Sequence, residues 1–124
     1  MHHSRLAGFI IDCRTDDLDG AGRFWSAALG LPSKGNDGHG YVPLDGSAHH
    51  LNIEVQKVDH ESRLHLDLET DDMDAEAARL EQLGAVKVKR LERWWIMEAP
   101  TGQRFCVVKA KRELQGLPGV TQWK

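Results

Sequence analysis

Two residues suited to proton transfer, His65 and Asp67, stand two positions apart in an alternating stretch of the chain. Histidine titrates near neutral pH, and a carboxylate in different surroundings can take the opposite role of acid or base. General acid–base catalysis needs such groups within reach of one substrate atom. If the protein is an enzyme, we expect His65 and Asp67 to be its catalytic residues.

Strand alternation predicts which other polar residues share a face with this pair. Leu64, Leu66 and Leu68 alternate with His65 and Asp67, which is the pattern of a strand that buries one face. The leucines are expected to face a helix, so the polar residues face away from it. The same reasoning, applied to neighbouring strand-like stretches, adds a set of candidate ligand-binding residues: Asp12, His50, Asn52, Glu54, Arg104 and Cys106.

Two adjacent tryptophans, Trp94 and Trp95, are further candidates for contact with a ligand. Neighbouring residues of a strand point to opposite faces, so one indole is expected in the core. The other could stack on a flat ligand or pack at an interface. The sequence does not decide which of the two does so.

An internal repeat organises the elements that position these residues. Residues Ile10–Asp19 align without gaps on His65–Asp74, with identical residues at five positions. Each copy reads as a strand, a Thr-Asp-Asp helix start and a helix that ends before a glycine. Further strands are expected at 41–44 and 49–56 in the first half, and at 86–91, 94–98 and 104–109 in the second.

This repeat predicts an α+β fold of two tandem β-α-β-β-β modules. Their mixed sheets are expected to form a cup-shaped cavity, with the helices on the outer faces. We expect one domain over residues 1–124, with module one at about 5–57 and module two at about 62–109. Residues 110–124 read as an irregular C-terminal tail.

Composition narrows the classes of partner and location. The chain has 16 basic and 19 acidic residues with a net charge of −3, and no basic stripe, which argues against nucleic-acid binding. Its apolar runs are too short for a membrane span, so we expect no membrane association and a cytoplasmic location. Cys13 and Cys106 are expected to be reduced thiols. His2 and His3, which follow the initial methionine, are set aside.

Two segments resemble a known superfamily. They are Asp17-Leu18 with Phe24-Trp25 and Leu29-Gly30-Leu31, and the segment 100–105 with the sequence Pro-Thr-Gly-Gln-Arg-Phe. In order and spacing, across residues 5–109, they resemble the vicinal oxygen chelate superfamily. Its members include glyoxalase I, extradiol dioxygenases, fosfomycin-resistance transferases and bleomycin-resistance proteins, and the chain is most similar to small bacterial glyoxalase-like proteins. The resemblance implies a small-molecule ligand and is compatible with a homodimer.

The resemblance also implies a divalent metal, whose ligands come from the first and last strand of each half. The corresponding residues here are Ile10, Glu54, His65 and Cys106. His65 and Glu54 suit a metal, whereas Ile10 has no ligand atom, and this disfavours the complete site. Asp12 or the Cys106 thiolate would have to supply the missing ligands of the metal ion.

Three functions stay open on the sequence. The first is a glyoxalase-like protein without the full metal site, which binds a small organic molecule in a polar cup and performs lyase-type acid–base chemistry. The second is a metal-dependent lyase, isomerase or dioxygenase of the glyoxalase type. The third is a non-enzymatic drug-binding resistance protein. The sequence does not identify the substrate.

Overall fold

The computed structural model describes all 124 residues and contains two α-helices and eight strands, as an α+β fold requires. The strands form one mixed sheet that is not closed, in the order β2-β3-β1-β4-β7-β6-β5, with β8 paired to β1. The helices are α1 (Leu18–Leu29) and α2 (Met73–Gln82), and the strands are β1 (His2–Arg14), β2 (Tyr41–Leu44), β3 (Asn52–Val58), β4 (Arg63–Thr70), β5 (Val86–Arg90), β6 (Trp94–Glu98), β7 (Arg104–Lys109) and β8 (Thr121–Trp123).

The chain divides into two compact units. The first unit is Gly8–His65, and the second unit is Met1–Ala7 together with Leu66–Lys124. Neither helix has the length and apolar character needed to cross a bilayer. The module boundaries and the cup-shaped cavity stay predictions.

In the first unit, α1 packs against a sheet in which β3 pairs in parallel with β1 and antiparallel with β2. Gly8 is required where β1 meets β3, because a Cβ there would lie 1.7 Å from the carbonyl oxygen of Asn52. Two strands follow the helix, not three, since the glycine-rich stretch before β2 forms turns with a single bridge from Ser33 to Leu44. The buried core consists of Ile11, Leu31, Val42, Leu44, Ile53 and Val55.

In the second unit, α2 packs on β5, β6 and β7, and β7 pairs in parallel with β4. Strand β6 pairs antiparallel with both of its neighbours. The alternating residues of these strands bury one face, as expected for strands that carry a helix on one side. The core of this unit consists of Ala77, Leu80, Met97 and Val107.

Equivalent aspartates start both helices, as the repeat predicts. The Asp17 carboxylate accepts a hydrogen bond from the Gly20 amide at 2.9 Å, and Asp72 accepts one from Ala75 at 3.0 Å. Such N-caps satisfy amides that lack a partner within the helix. Helix α1 ends at Gly30, whose φ of 69° is the left-handed conformation that glycine tolerates best.

The two ends of the chain are more ordered than the sequence suggested. His2 and His3 belong to β1, and residues 121–123 of the supposed irregular tail form β8 on that strand. His2 Nε2 lies 2.8 Å from Glu76 Oε1, and Arg79 donates two hydrogen bonds to the same carboxylate at 2.7 and 2.8 Å. Trp123 stacks on Arg79 with its ring centroid 3.8 Å away. The buried Glu76 therefore holds both ends of the chain.

Replacing Glu76 by glutamine should destabilise the protein by about 2–4 kcal/mol, since Arg79 and His2 would lose a buried anionic partner. Urea unfolding at pH 7 measures this loss. The matched control is Glu81→Gln on the exposed side of α2, which should cost less than about 0.5 kcal/mol. Equal losses in the two variants would contradict the role given to Glu76.

The stability that Glu76 contributes should depend on pH. Burial alone would raise the pKa of Glu76, but hydrogen bonds from Arg79, His2 and Ser4 outweigh burial and hold the pKa below its ordinary value of 4.5. A depressed folded-state pKa stabilises the protein above about pH 4.5, and this contribution is lost as the pH falls further. The difference in unfolding free energy between wild type and Glu76→Gln should therefore shrink below pH 4.5.

Candidate functional site

The most deeply buried ionisable pair of the first unit joins Asp12 on β1 to His65 on β4. The Asp12 side chain is 2% exposed and that of His65 is 15% exposed, and Asp12 Oδ2 lies 2.7 Å from His65 Nδ1. Asp12 occupies a stretch of β1 that is otherwise apolar, where a carboxylate needs a partner. Both residues are candidates from the sequence, and in the structure their side chains are in contact.

This contact fixes the proton on the imidazole. An ionised carboxylate can only accept hydrogen bonds, so Nδ1 of His65 is the donor to Asp12. A histidine held in this way acts on a metal or a substrate through its other nitrogen, Nε2. Asp12 thus sets which ring nitrogen carries the proton in the neutral imidazole.

Two residues that sequence reasoning missed extend the polar face beside Asp12. Gln56 on β3 is the register partner of Asp12, and Tyr41 on β2 is the register partner of Gln56. Register partners share a face, so the three side chains form one row across three strands. No signal in the sequence points to this row, because the register between distant strands has to be known.

A guanidinium and an unsatisfied oxygen complete the surroundings of Asp12. Arg63 Nε lies 3.7 Å from Asp12 Oδ2, and the Arg63 side chain is about half exposed. Asp12 Oδ1 is buried without a hydrogen-bond partner in the protein. The carboxylate therefore has one oxygen engaged by His65 and one oxygen that no protein group satisfies.

The expected burial of the leucines on β4 is wrong. Leu64 is 61% exposed and Leu66 is 52% exposed, and Leu68 alone of the three packs against the core of the second unit. Strand alternation shows which residues share a face of β4, but it does not show whether that face is covered. The polar set is the less exposed one, because His65 and Asp67 are both half-buried.

His50 does not lie on the sheet. The predicted strand at 49–56 begins only at Asn52, because residues 47–49 form a 3₁₀ turn. His50 closes that turn with a φ of 57° and is exposed, so strand alternation does not apply to it. Asn52, the first residue of β3, is exposed, and Glu54 is half-buried as the register partner of Ile10.

In the second unit, Trp94 and Trp95 point to opposite faces as expected, and the structure decides between them. Trp95 packs on the α2 side and donates a hydrogen bond to Asp74 at 3.0 Å. Trp94 pairs with Val108 on the opposite face, the one that carries Asp67. Trp94 is 38% exposed, so of the two indoles it stays the candidate for contact with a ligand.

The same face of the second unit carries two further predicted residues. Cys106 is the register partner of Asp67, so the thiol and the carboxylate lie side by side on β7 and β4. Arg104 lies two residues before Cys106, and its Nε donates to Glu98 at 3.1 Å. Arg104 therefore forms an exposed ion pair with Glu98, and its role as a ligand-binding residue stays a prediction.

Three side chains offer donor atoms suited to a metal ion. One atom each of His65, Asp67 and Cys106 lie within 4.8 Å of one another, on the paired strands β4 and β7. Nitrogen, oxygen and thiolate sulfur together suit zinc better than magnesium or calcium. The ligand set that the family resemblance implies does not fit, because Ile10 is 3% exposed with no donor atom and Glu54 is outside this cluster.

Comparison with known proteins agrees with this architecture. The chain matches the family model described as a glyoxalase-like domain over residues 8–108. An α+β protein with this fold and these strand-borne polar residues is of the vicinal oxygen chelate class. The chain belongs to the glyoxalase-like domain family. No curated protein matches it.

Solved structures of low sequence identity share the fold. The Mn(II)-bound glyoxalase from Novosphingobium aromaticivorans is 22% identical with a TM-score of 0.60, over 91% of this chain and 44% of that one. A methylmalonyl-CoA epimerase variant from Streptomyces coelicolor is 18% identical with a TM-score of 0.53, over 87% and 98%. A homoprotocatechuate 2,3-dioxygenase variant from B. fuscum is 17% identical with a TM-score of 0.62, over 90% and 33%. The chain thus spans less than half of that glyoxalase.

The tautomer of His65 is directly measurable. In wild type, the neutral imidazole should carry its proton on Nδ1, because Asp12 accepts it, and nitrogen-15 NMR of the ring distinguishes the two tautomers. Asp12→Asn should move the proton to Nε2 or give a mixture. Arg63→Gln, which changes a more distant neighbour of the carboxylate, should leave the tautomer unchanged. A wild-type proton on Nε2 would contradict the assignment.

Proposed function

We propose that this protein binds a small organic molecule and transfers a proton to or from it through His65, without needing the metal site of its relatives. The observation that supports this most directly is the buried hydrogen bond of 2.7 Å from His65 to Asp12. A carboxylate in this position orients an imidazole and stabilises the imidazolium formed during proton transfer. This role does not depend on Ile10.

In this mechanism each residue has one task. Nε2 of His65 takes a proton from a carbon atom next to a carbonyl group of the ligand and returns it at the same or a neighbouring atom. Asp12 remains ionised and stabilises the resulting positive charge across its hydrogen bond. Asp67, on the same strand, is the candidate for the second acid or base, and Trp94 and Asn52 are candidates for ligand contact. The pair thereby performs the acid–base step of a lyase or an isomerase.

Exchange of carbon-bound hydrogen in D₂O tests this proposal. Chelator-treated protein is mixed with hydroxyacetone or with the adduct of methylglyoxal and a thiol, and proton NMR follows the loss of the signal next to the carbonyl. We expect exchange faster than in buffer, a drop of about 100-fold or more in His65→Gln, and a smaller drop in Asp12→Asn. The control His49→Gln changes an exposed histidine and should exchange like wild type.

The outcomes separate the candidate activities. Exchange no faster than in buffer, or exchange that survives in His65→Gln, would rule out the proposed acid–base role. Tight binding of a ligand without exchange would favour the non-enzymatic drug-binding alternative. That the protein forms a homodimer and that it is located in the cytoplasm remain predictions from the sequence.

A second candidate function, a metal-dependent enzyme of the glyoxalase type, is favoured by one observation. His65, Asp67 and Cys106 place three donor atoms within 4.8 Å, enough for a zinc site with open positions. A metal bound there would act as a Lewis acid toward ligand oxygens. The glyoxalase from Novosphingobium aromaticivorans, which shares the fold, was solved with Mn(II) bound.

Metal analysis by mass spectrometry separates the two candidates. The acid–base proposal predicts well under one equivalent of divalent metal in purified protein, before and after reconstitution with zinc. The metal-dependent candidate predicts about one equivalent, lost in His65→Ala and Cys106→Ser but retained in Glu54→Gln, because Glu54 is outside the cluster. Loss of metal in Glu54→Gln would instead favour the ligand set implied by the family.

A further inference from the structure

The two oxygens of the Asp12 carboxylate have different surroundings. Oδ2 accepts the hydrogen bond from His65 and lies 3.7 Å from Arg63. Oδ1 is buried and accepts no hydrogen bond from the protein, although the side chain is only 2% exposed. Buried carboxylate oxygens are normally satisfied, and leaving one without a donor is unfavourable.

The neighbouring strands show why the protein itself does not satisfy this oxygen. Along β1, the neighbour of Asp12 on the same face is Ile10, whose side chain has no polar atom. On β3, the register partner of Asp12 is Gln56, which does not donate a hydrogen bond to Oδ1. From Asp12 the polar row continues through Gln56 on β3 to Tyr41 on β2. Asp12 Oδ1 is therefore an acceptor without a protein donor, on a face that carries other polar side chains.

We propose that Asp12 Oδ1 is a ligand-binding atom that accepts a hydrogen bond from a hydroxyl group of the bound molecule. This inference rests on the proposed function and names the class of its substrate: a small neutral molecule with a hydroxyl group close to the atom on which His65 acts. Asp12 then has two roles, because one oxygen orients the imidazole and the other positions the ligand.

The charges around Asp12 favour a hydroxyl group over a charged group. A ligand carboxylate would bring a second anion to an oxygen that already carries negative charge. A ligand ammonium would approach Arg63 and, after proton transfer, a protonated His65. A neutral hydroxyl donates to the carboxylate without either repulsion, and hydrogen bonds to ionised acceptors are stronger than those between neutral groups.

Matched pairs of probes that differ by one methyl group test this inference. Hydroxyacetone is compared with methoxyacetone, and catechol with guaiacol, by NMR titration of nitrogen-15-labelled protein. In at least one pair the molecule with the additional hydroxyl should bind about tenfold more tightly, because its partner cannot donate that hydrogen bond to Oδ1. Asp12→Asn should reduce this preference to about twofold or less. Asp16→Asn, which removes the same charge from an exposed residue near the end of β1, should keep it.

Each result of these titrations either supports or overturns the role given to Asp12 Oδ1. A hydroxyl preference that is lost in Asp12→Asn and kept in Asp16→Asn supports the inference. No preference in wild type, an unchanged preference in Asp12→Asn, or no binding of any of the four probes overturns it. The wild-type comparison does not depend on whether Asp12→Asn folds. His65-dependent hydrogen exchange without a hydroxyl preference would overturn this inference alone and leave the proposed function standing.

Discussion

The site depends on one constraint, which is that a carboxylate buried in an apolar strand must be hydrogen-bonded. Asp12 follows Phe9, Ile10 and Ile11 in β1 and is almost completely buried. Removing a charged group from water is costly unless a partner compensates for it. His65 supplies that partner at 2.7 Å. This pairing orients the imidazole and places the proton of the neutral ring on Nδ1. The second oxygen of Asp12 has no hydrogen-bond partner in the protein.

The internal repeat places unlike residues at equivalent positions of the two halves. Asp12 aligns with Asp67, and both acids lie on first strands next to the last strand of their half. Two positions earlier, His65 aligns with Ile10, so only the second half has a side chain there that can bind a proton or a metal. The repeated position therefore carries a titratable side chain in one copy and an apolar one in the other. This asymmetry is the reason why a site with metal ligands from both halves does not fit.

Local patterns in the sequence were sufficient for features that lie within one element. The aspartate caps, the glycine that ends α1 and the positions of β2, β6 and β7 were predicted because each depends on a few neighbouring residues. Alternation also placed His65 and Asp67 on one face and separated Trp94 from Trp95. These features are determined within one element, where the rules of capping and strand geometry apply.

Features that depend on distant parts of the chain were not predictable in this way. The exposure of Leu64 and Leu66 depends on what covers their face of the sheet, and the position of His50 depends on a 3₁₀ turn. The pairing of β8 with β1 and the contacts of His2 join opposite ends of the sequence. The row formed by Tyr41, Gln56 and Asp12 needs the register of three strands, which the composition of each strand leaves undetermined.

The most direct measurement of the central claim is a double-mutant cycle between Asp12 and His65, with unfolding free energies of wild type, Asp12→Asn, His65→Gln and the double variant. If the two side chains form a buried charge-assisted hydrogen bond, the cycle should show a coupling of about 1–3 kcal/mol. Additive effects, to within about 0.5 kcal/mol, would mean that the pair is not formed in solution. The account of the site would then lose its basis.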